Sequence, residues 1–377
     1  MFTISHQDKN SKARTGKLAT AHGRIDTPCF MPVGTQGTVK ALTPKNLEEC
    51  GAQIILSNAY HLFLRPGMEV IKKAGGLHNF ISWPKPILTD SGGYQIFSLA
   101  RLRKITDKGV EFQSHFDGLR HFLTPEDVIR IEQDLGSDIM MPLDECVHYP
   151  SSKDNAEVAM ERTVEWAKRS HLAYSSQLTA NSKKKQLLFG IVQGATYDDL
   201  RKECAKRIVE IGFDGYAIGG VSVGEPKNLI YNIVALVAKG LPADKPRYLM
   251  GLGLPEDLLE AVGEGIDMFD CVVPTRYGRN GTAFTSVGKL TIRNAPFIED
   301  FRPLDEQCHC YACMNFSRAY LRHLFNTEEL LGLQLVSLHN VHFFLGLMAK
   351  IREAIKQDRF GEFKKEFLTN YSKVTNS

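Results

Sequence analysis

The feature that most constrains the fold is a series of eight short apolar runs, each four to six residues long, most of which end in a polar or glycine-rich step. Runs of this length between turn signals indicate buried β-strands. Eight buried strands are the number that closes a (β/α)8 barrel. The runs are TPCFMPVGT near residue 30, AQIILSNAY near 55, KPILTDSGG near 88, SDIMMPLDE near 140, LLFGIVQG near 190, GYAIGG near 217, RYLMGLG near 249 and GIDMFDC near 269.

The stretches between these runs carry helical patterns. TPKNLEECG and TPEDVIRIEQDLGSD both begin with Thr-Pro, and a glycine follows the helical pattern in each. NAEVAMERTVEWAKRSHLAYSSQL and YDDLRKECAKRIVEIG have apolar residues at three- and four-residue spacing. Alternation of strands and helices predicts an α/β fold with a parallel sheet, and the strand count favours a TIM barrel.

An open doubly wound sheet is the structural alternative. Such a sheet normally has a G-x-G-x-x-G turn after its first strand, and the corresponding turn here reads VGTQGTVK. The sequence contains no G-x-x-x-x-G-K-S/T motif, so nucleotide hydrolysis has no support.

The strand pattern ends near residue 300, which suggests a division of the chain. We expect residues 1–300 to form the barrel core, 301–345 to form a small inserted segment, and 346–377 to supply a C-terminal helix that completes the barrel. We expect no apolar run of the sequence to be long enough to span a bilayer, and the polar N-terminus lacks the apolar centre of a signal peptide. A cytoplasmic protein is therefore expected.

The net charge of the 377-residue chain is only +3, so a nucleic-acid partner would have to bind local basic patches. Each patch taken alone is also compatible with an ordinary solvated surface. The patches are Lys9–Lys17, Arg101–Lys104, Lys183–Lys185 and Arg276–Arg279.

Three of the eight cysteines, Cys308, Cys310 and Cys313, form a C-x-C-x-x-C motif inside the expected insertion. Three thiolates can occupy three corners of a zinc tetrahedron, and a histidine 20 to 30 residues further on would suit as the fourth ligand. His339 lies at that distance, and His309, His323 and His342 compete with it. Because four protein ligands leave no open position, the expected zinc is structural.

Polar residues stand at the carboxyl ends of the predicted strands, where TIM barrels carry their chemistry. Three acids converging on one mouth would repel one another, which is costly unless a reaction uses them. A pair of carboxylates is what cleavage of a glycosidic bond requires, one at the sugar carbon and one to handle a proton. The strand-end residues are Asn58, Asp90, Asp144, Gln193, Gly219, Gly220, Met250, Gly251 and Asp270.

In this order, these motifs resemble the queuine and archaeosine tRNA-ribosyltransferase family over nearly the whole chain. The matching blocks are TPCFMPVGTQGTVKAL, NAYHLFLRPG, TDSGGYQIFSL, PLDEC, FGIVQG, AIGG, YLMGLG, MFDCVVPTRYGRNG and the C-x-C-x-x-C cluster. The resemblance implies a TIM barrel with a zinc-binding insertion. It also implies a tRNA-guanine transglycosylase, which exchanges guanine at wobble position 34 of GUN-anticodon tRNAs during queuosine biosynthesis.

The resemblance also implies roles for individual residues. Asp270 would be the nucleophile that attacks C1′ of the guanosine, and Asp90 would be the general base for the incoming base. Arg276 and Arg279 would bind RNA. The base-binding residues would be Tyr94, Asp144, Gln193, Gly219, Gly220 and Met250, with Asp144 accepting from N1 and N2 of guanine, Gln193 and the Gly220 N–H donating to O6, and Tyr94 and Met250 sandwiching the ring.

Two other functions compete with this one. A non-catalytic RNA-binding relative would lack the acids, whereas Asp90 and Asp270 are both present. A plain glycoside hydrolase on the same barrel would need neither the Asp144–Gln193 clamp nor the zinc insertion.

Two finer properties follow from the resemblance alone. Family members commonly pair through the zinc insertion, so we expect a homodimer with Phe80, Trp83, Tyr320 and His323 as candidate contacts, although each also suits local packing. Val221-Ser222-Val223, opposite Cys146, puts side chains on the pocket wall and favours 7-aminomethyl-7-deazaguanine (preQ1) over the bulkier queuine as the incoming base.

Overall fold

A computed structural model describes residues 1–99, 102–177 and 186–371. Sixteen strands are found in these residues: β1 Phe2–Gln7, β2 Arg14–Thr20, β3 Gly23–Thr27, β4 Cys29–Pro32, β5 Ile55–Asn58, β6 Ile87–Asp90, β7 Arg103–Thr106, β8 Gly109–Gln113, β9 Arg120–Leu123, β10 Ile139–Met140, β11 Leu187–Val192, β12 Gly215–Ile218, β13 Arg247–Leu249, β14 Met268–Cys271, β15 Thr282–Thr285 and β16 Gly288–Thr291.

Fifteen α-helices and one short 3₁₀ turn, Ala295–Phe297, accompany them in the same part of the chain. The helices are α1 Pro44–Glu49, α2 Ala59–Leu64, α3 Met68–Lys73, α4 Leu77–Ile81, α5 Gly93–Leu99, α6 Pro125–Leu135, α7 Lys153–Gln177, α8 Asp198–Ile211, α9 Lys227–Gly240, α10 Pro255–Gly263, α11 Val273–Arg279, α12 Tyr311–Asn315, α13 Arg318–Asn326, α14 Leu330–Lys356 and α15 Phe360–Tyr371.

Eight parallel strands form the barrel, and all eight apolar runs of the sequence supply one. Their order is β4-β14-β13-β12-β11-β10-β6-β5. The two ends of this order meet at a parallel bridge between Val33 and Leu56, where the N–H of Gly34 donates to the carbonyl of Leu56 at 2.6 Å. The predicted TIM barrel is therefore confirmed.

The barrel interior is packed with side chains from these strands, including Met31, Leu88, Phe189 and Tyr248. A second apolar layer lies between the strands and the outer helices, with α7 to α10 and α14 contributing to it. This packing fixes the strand ends, so the residues just beyond them share one mouth.

The predicted Thr-Pro helix starts are capped as their sequences suggest. Thr43 and Thr124 each accept a hydrogen bond from the third helical residue and complete a capping box, with proline at the first helical position. Gly136 ends α6 in the left-handed conformation with φ 76°.

Three small antiparallel sheets lie outside the barrel in the described residues, and the strand pattern did not predict them. The sheet β1-β2-β3 precedes the first barrel strand, β7-β8-β9 lies between α5 and α6, and β15-β16 follows α11. One face of the sheet β7-β8-β9 packs against the rest of the protein. It carries the buried side chains Val110, Phe112 and Leu123.

Helix α14 is continuous from Leu330 to Lys356, so the boundary expected between 345 and 346 falls inside it. Its Phe344 ring packs 5.1 Å from that of Phe30 on β4, which joins the helix to the barrel. By length and composition α14 could span a membrane, which corrects the expectation that no run is long enough. However, 61% of its most apolar stretch, with mean hydropathy 1.4, is buried inside the protein.

Candidate active site

Asp270 lies on β14 with one carboxylate oxygen held by two neutral donors. The hydroxyl of Tyr248 donates to Oδ1 at 2.6 Å, and the N–H of Gly251 donates to the same atom at 2.8 Å. Burial raises the pKa of Asp270, and these two hydrogen bonds oppose that rise. Because both donors use Oδ1, they orient the carboxylate while Oδ2 takes neither bond.

Asp90 ends β6 in register with Asn58 at the end of β5. The Asn58 amide donates to Oδ2 of Asp90 at 3.0 Å. Burial, followed by the charges of Asp144 and then Asp270, raises the pKa of Asp90 to about 7. A carboxyl group with this pKa can both give and take a proton near neutral pH.

Asp144 and Gln193 meet at the same mouth, from the segments after β10 and β11. The Gln193 amide donates to Oδ2 of Asp144 at 2.7 Å, and both side chains are buried. Burial is the largest cause that raises the pKa of Asp144 to about 6. A flat base entering here would find a carboxylate and an amide already aligned with one another.

The strand end after β12 comes close to this pair. Gly220 has φ 60°, and a Cβ atom there would lie 2.1 Å from Oε1 of Gln193. A Cβ at Gly219 would lie 2.8 Å from Nε2 of the same amide. Only glycine allows the backbone to approach Gln193 so closely.

The segment that follows forms a side wall of the site. The carboxylate of Glu225 accepts the N–H of Ser222 at 2.6 Å and that of Val223 at 2.9 Å. Val221 is buried, and so is Cys146, whose thiol pKa is raised to about 12 by burial. A thiol with this pKa stays protonated at neutral pH.

The remaining predicted contacts lie around the mouth. Tyr94, at the start of α5, is 48% exposed, and Met250, just after β13, is half-buried. On α11, Arg276 is exposed, whereas Arg279 is half-buried and donates to the carbonyl of Thr275 at 3.2 Å. Arg101 and the basic run Lys183–Lys185 lie outside the described residues.

The three cysteines of the C-x-C-x-x-C motif converge with one histidine of α14. The thiols of Cys308, Cys310 and Cys313 and a ring nitrogen of His339 all lie within 4.8 Å of one another. Nδ1 of His339 is 3.5 Å from Sγ of Cys310 and 3.3 Å from Sγ of Cys313. These spacings suit a tetrahedral ion with three sulfur ligands and one nitrogen ligand.

The second ring nitrogen of His339 supports the same conclusion. Nε2 lies 2.8 Å from the carbonyl of Phe284, an arrangement that needs the proton on Nε2 and leaves Nδ1 free for a metal. Of the competing histidines, His342 approaches Cys308 at 3.5 Å, whereas His309 and His323 are not in the four-residue cluster.

A second cluster, His22, His78 and Asp138, lies at the opposite end of the barrel. Both rings approach the Asp138 carboxylate at 3.0 to 3.1 Å and stack on each other with centroids 3.6 Å apart. A metal ion bound by both histidines would have to lie close to the plane of each ring. The two rings are stacked with an interplanar angle of 24°, so their planes do not meet at bonding distance from both nitrogens. Hydrogen bonding to the carboxylate explains this cluster better.

Comparison with known proteins agrees with this geometry. The family model described as queuine tRNA-ribosyltransferase matches residues 8–373. The chain is 59% identical to the queuine tRNA-ribosyltransferase of Thermoanaerobacter pseudethanolicus and 60% identical to that of Caldanaerobacter subterraneus subsp. tengcongensis, covering 98% of this chain and 97% of each relative. The Aquifex aeolicus protein of the same name is 55% identical, with 98% of each chain covered.

The chain belongs to the queuine tRNA-ribosyltransferase family.

Two residues of this family member's site were missed by sequence reasoning. Tyr248 orients Asp270 from the neighbouring strand, and its position in RYLMGLG, two residues before Met250, was a usable signal. Arg201 is fully buried and bonds the backbone beneath Gln193 and Gly220. The sequence did indicate its burial, because Arg201 lies three residues before Cys204 and seven before Ile208, on the same buried face of α8.

The residues expected at a dimer contact differ in exposure. Trp83 is buried, and its indole N–H donates to the carbonyl of Pro86 at 3.0 Å, so it packs locally. Phe80, Tyr320 and His323 are exposed, and Tyr320 stacks on Phe316 with ring centroids 5.5 Å apart. The expectation that Trp83 meets a partner is therefore wrong, because its ring is used inside the chain.

Proposed function

We propose that the protein is a tRNA-guanine transglycosylase that replaces guanine 34 of GUN-anticodon tRNAs with preQ1, a step of queuosine biosynthesis. The observation that carries this proposal is the set of three carboxylates at one barrel mouth, Asp90 and Asp144 buried and Asp270 half-buried, each with a different donor environment. Asp270 is oriented by two donors on one oxygen, Asp90 has a pKa of about 7, and Asp144 is paired with the Gln193 amide.

In the first step, Oδ2 of Asp270 bonds to C1′ of the guanosine while the C1′–N9 bond breaks. Protonated Asp90 supplies the proton that departing guanine takes up at N9. The RNA is then held as an ester of Asp270, as in a retaining glycosidase. Tyr248 and Gly251 hold Oδ1 in place while Oδ2 reacts.

In the second step, the incoming base gives its N9 proton to ionised Asp90, and N9 bonds to C1′. The ester bond breaks, which restores the Asp270 carboxylate and releases modified RNA. One group can act as acid and then as base because its pKa lies near the working pH.

Base recognition would use the pair beneath the site. Asp144 would accept from N1 and N2 of guanine, while Gln193 and the N–H of Gly220 would donate to O6, next to Gly219. The base would replace the present Asp144–Gln193 contact by bonds of its own. Tyr94 and Met250 would cover the two ring faces, and Arg276 and Arg279 would bind the anticodon phosphates.

A labelled-guanine exchange assay with an anticodon stem-loop tests this function. Exchange into guanosine 34, together with an RNA adduct that survives denaturing electrophoresis, is expected. Binding of the stem-loop without exchange would favour the non-catalytic relative. Release of base without uptake of another would favour a hydrolase.

The incoming base is tested separately, by measuring kcat/KM for preQ1 and queuine on one tRNA. Buried Val221 keeps a side chain on the wall, which disfavours the cyclopentenediol of queuine by about 1–3 kcal/mol. The N–H of Ser222 donates to Glu225, so the carbonyl of the same peptide, that of Val221, points away from Glu225 and could accept a hydrogen bond from an aminomethyl group. A higher kcat/KM for queuine would overturn preQ1 without affecting the transglycosylase.

We infer that Cys308, Cys310, Cys313 and His339 hold one structural zinc ion per chain. Bound there, zinc would cross-link the insertion to α14 and supply no chemistry at the mouth. Elemental analysis is expected to find one zinc, and Cys310→Ser should lose both the metal and part of the stability. Full stability and activity in metal-free protein would contradict this site.

We also propose a cytoplasmic homodimer that binds the anticodon loop of tRNA. Exposed Phe80, Tyr320 and His323 support a contact through the insertion. Sedimentation at micromolar concentration should give a mass of two chains.

A further inference from the structure

Arg201 lies in the first turn of α8, and its side chain is completely buried. Its guanidinium group donates four hydrogen bonds, all to backbone carbonyls. Nε binds the carbonyl of Ala195 at 2.8 Å, Nη1 binds those of Val192 at 2.9 Å and Gly219 at 2.7 Å, and Nη2 binds that of Gly220 at 2.9 Å. The group thus joins the end of β11 to the end of β12, the two segments that carry Gln193 and Gly220.

This placement is costly for the fold. A cation in the first turn of a helix opposes the helix dipole, and a buried charge loses its hydration. Within residues 1–99, 102–177 and 186–371, no ion pair of Arg201 with a carboxylate is found. Burial lowers the pKa of Arg201 to about 10, which leaves it protonated at neutral pH. Charged groups that are buried at a cost in stability are often found at functional sites.

The bonds of Arg201 determine where two backbone N–H groups point. In a trans peptide the N–H is directed opposite to the carbonyl. The carbonyls of Gly219 and Gly220 both face Arg201, so the N–H groups of Gly220 and Val221 both face away from it. Two successive N–H groups on one side of a left-handed residue form a concave site for a negatively polarised oxygen.

Both N–H groups are available. In the part of the chain that the structure describes, neither Gly220 nor Val221 donates a backbone hydrogen bond. Val221 is buried, and Gln193 lies against Gly220 with its amide. A buried N–H group such as that of Val221 is nearly always paired, so its lack of a partner beside the base site, next to the half-buried Gly220, points to a ligand oxygen.

We propose that Arg201 is a positioning residue that holds the N–H groups of Gly220 and Val221 towards O6 of the bound guanine or 7-deazaguanine. The inference rests on the proposed function. It adds the N–H of Val221 as a second backbone donor to O6 and assigns the orientation of both donors to the side chain of Arg201. Lysine cannot replace Arg201, because an ammonium group lacks the planar fork that reaches four carbonyls.

The test compares three bases as competitive inhibitors of guanine exchange. 6-Thioguanine replaces O6 with a weaker acceptor, and hypoxanthine lacks the amino group that Asp144 would bind. In the wild type, guanine should bind about tenfold more tightly than 6-thioguanine, the loss expected for hydrogen bonds to one oxygen. In Arg201→Lys this ratio should fall to about twofold, while the guanine-to-hypoxanthine ratio stays within about twofold of the wild-type value.

Arg207→Lys is the matched control, because it makes the same exchange on the same helix at a surface residue that pairs with Glu161. It should leave both ratios unchanged. If Arg201→Lys weakens all three bases equally, or only lowers the melting temperature, Arg201 is structural and the inference fails. If the wild type exchanges no guanine at all, the proposed function fails instead.

A measurement on the wild type tests the two N–H donors, on which the inference depends, even if Arg201→Lys does not fold. With ¹⁵N-labelled glycine and valine, the amide resonances of Gly220 and Val221 should shift on binding guanine and shift less on binding 6-thioguanine. Resonances that respond equally to both bases, or to neither, would overturn the inference.

Discussion

At the closed N-terminal end of the barrel, the Asp267 carboxylate accepts two hydrogen bonds from Arg14, at 3.0 and 2.6 Å, and one from the N–H of Arg247. At the same end of the barrel, before β10, Asp138 accepts hydrogen bonds from His22 and His78. At the open C-terminal mouth, the donors to Asp90 and Asp270 among the described residues are neutral groups such as Asn58 and Tyr248. The two ends of one barrel therefore surround their carboxylates with different donors.

The consequence is visible in the pKa values. For Asp138, burial opposes ionisation, yet the bond from His78 and the N–H of Ile87 hold the pKa below its ordinary value. For Asp90, burial and two neighbouring carboxylates act in the same direction, and the pKa rises to about 7. At Asp267 burial also raises the pKa, against the opposing bonds from Arg14 and the N–H of Arg247, so the contrast in pKa is between Asp138 and Asp90. This contrast indicates that Asp138 stabilises the fold as an anion, whereas the ionised form of Asp90 costs stability and serves a reaction.

The largest expected effect is at the mouth. Asp270→Asn removes the proposed nucleophile, so guanine exchange should fall by about 10⁴-fold and the RNA adduct should disappear. The free energy of unfolding should stay the same or rise, because the asparagine carbonyl can still accept from Tyr248 and Gly251. Exchange kinetics and urea unfolding measure the two effects. Exchange at a rate comparable with the wild type would remove Asp270 from the mechanism.

The opposite outcome is expected at the closed end. Asp267→Asn leaves Arg14 buried without its anion, so the free energy of unfolding should fall by about 3–5 kcal/mol. The kcat of the folded protein should stay within about threefold, since the residue is remote from the mouth. Asp26→Asn, on the exposed side of β3, is the control and should change neither value. A loss of kcat without loss of stability would break the contrast between the two ends.

A pH series sharpens the contrast at Asp90. Its folded pKa of about 7 lies above the unfolded value of 3.8, so its contribution to stability is present below pH 4 and is lost as the pH rises to about 7. Across that window, the wild type should lose roughly 2–4 kcal/mol of unfolding free energy relative to Asp90→Asn. Denaturation at several pH values measures this gap. A gap that does not change with pH would mean that Asp90 ionises normally.

The smallest effect is expected away from both ends, at the proposed dimer contact. Tyr320→Ala removes an exposed ring of α13 and should weaken self-association by about 1–2 kcal/mol, with little change in unfolding of the monomer. Leu172→Ala, at an apolar residue of α7 that is 68% exposed, is the control. Sedimentation over a dilution series measures both variants. Equal association constants for the two would exclude Tyr320 from the contact.

The sequence by itself determined the barrel, because each strand is marked locally by a short apolar run and a turn signal. It also brought together the strand-end residues, since the carboxyl ends of parallel strands share one mouth. The metal cluster could be predicted for a similar reason. Three of its ligands lie within six residues, and the fourth, His339, follows 26 residues after Cys313.

Only the tertiary structure decided how these residues are supported. Arg14 meets Asp267 across 253 positions of the chain, and His22 meets Asp138 across 116. The Trp83 indole donates to Pro86 inside the protein, and Arg201 donates to carbonyls at the ends of β11 and β12. No local period encodes such contacts, because they depend on which side chains the closed barrel places opposite one another. The donors that orient Asp270 and leave Asp90 near neutrality therefore became visible only once the barrel was closed.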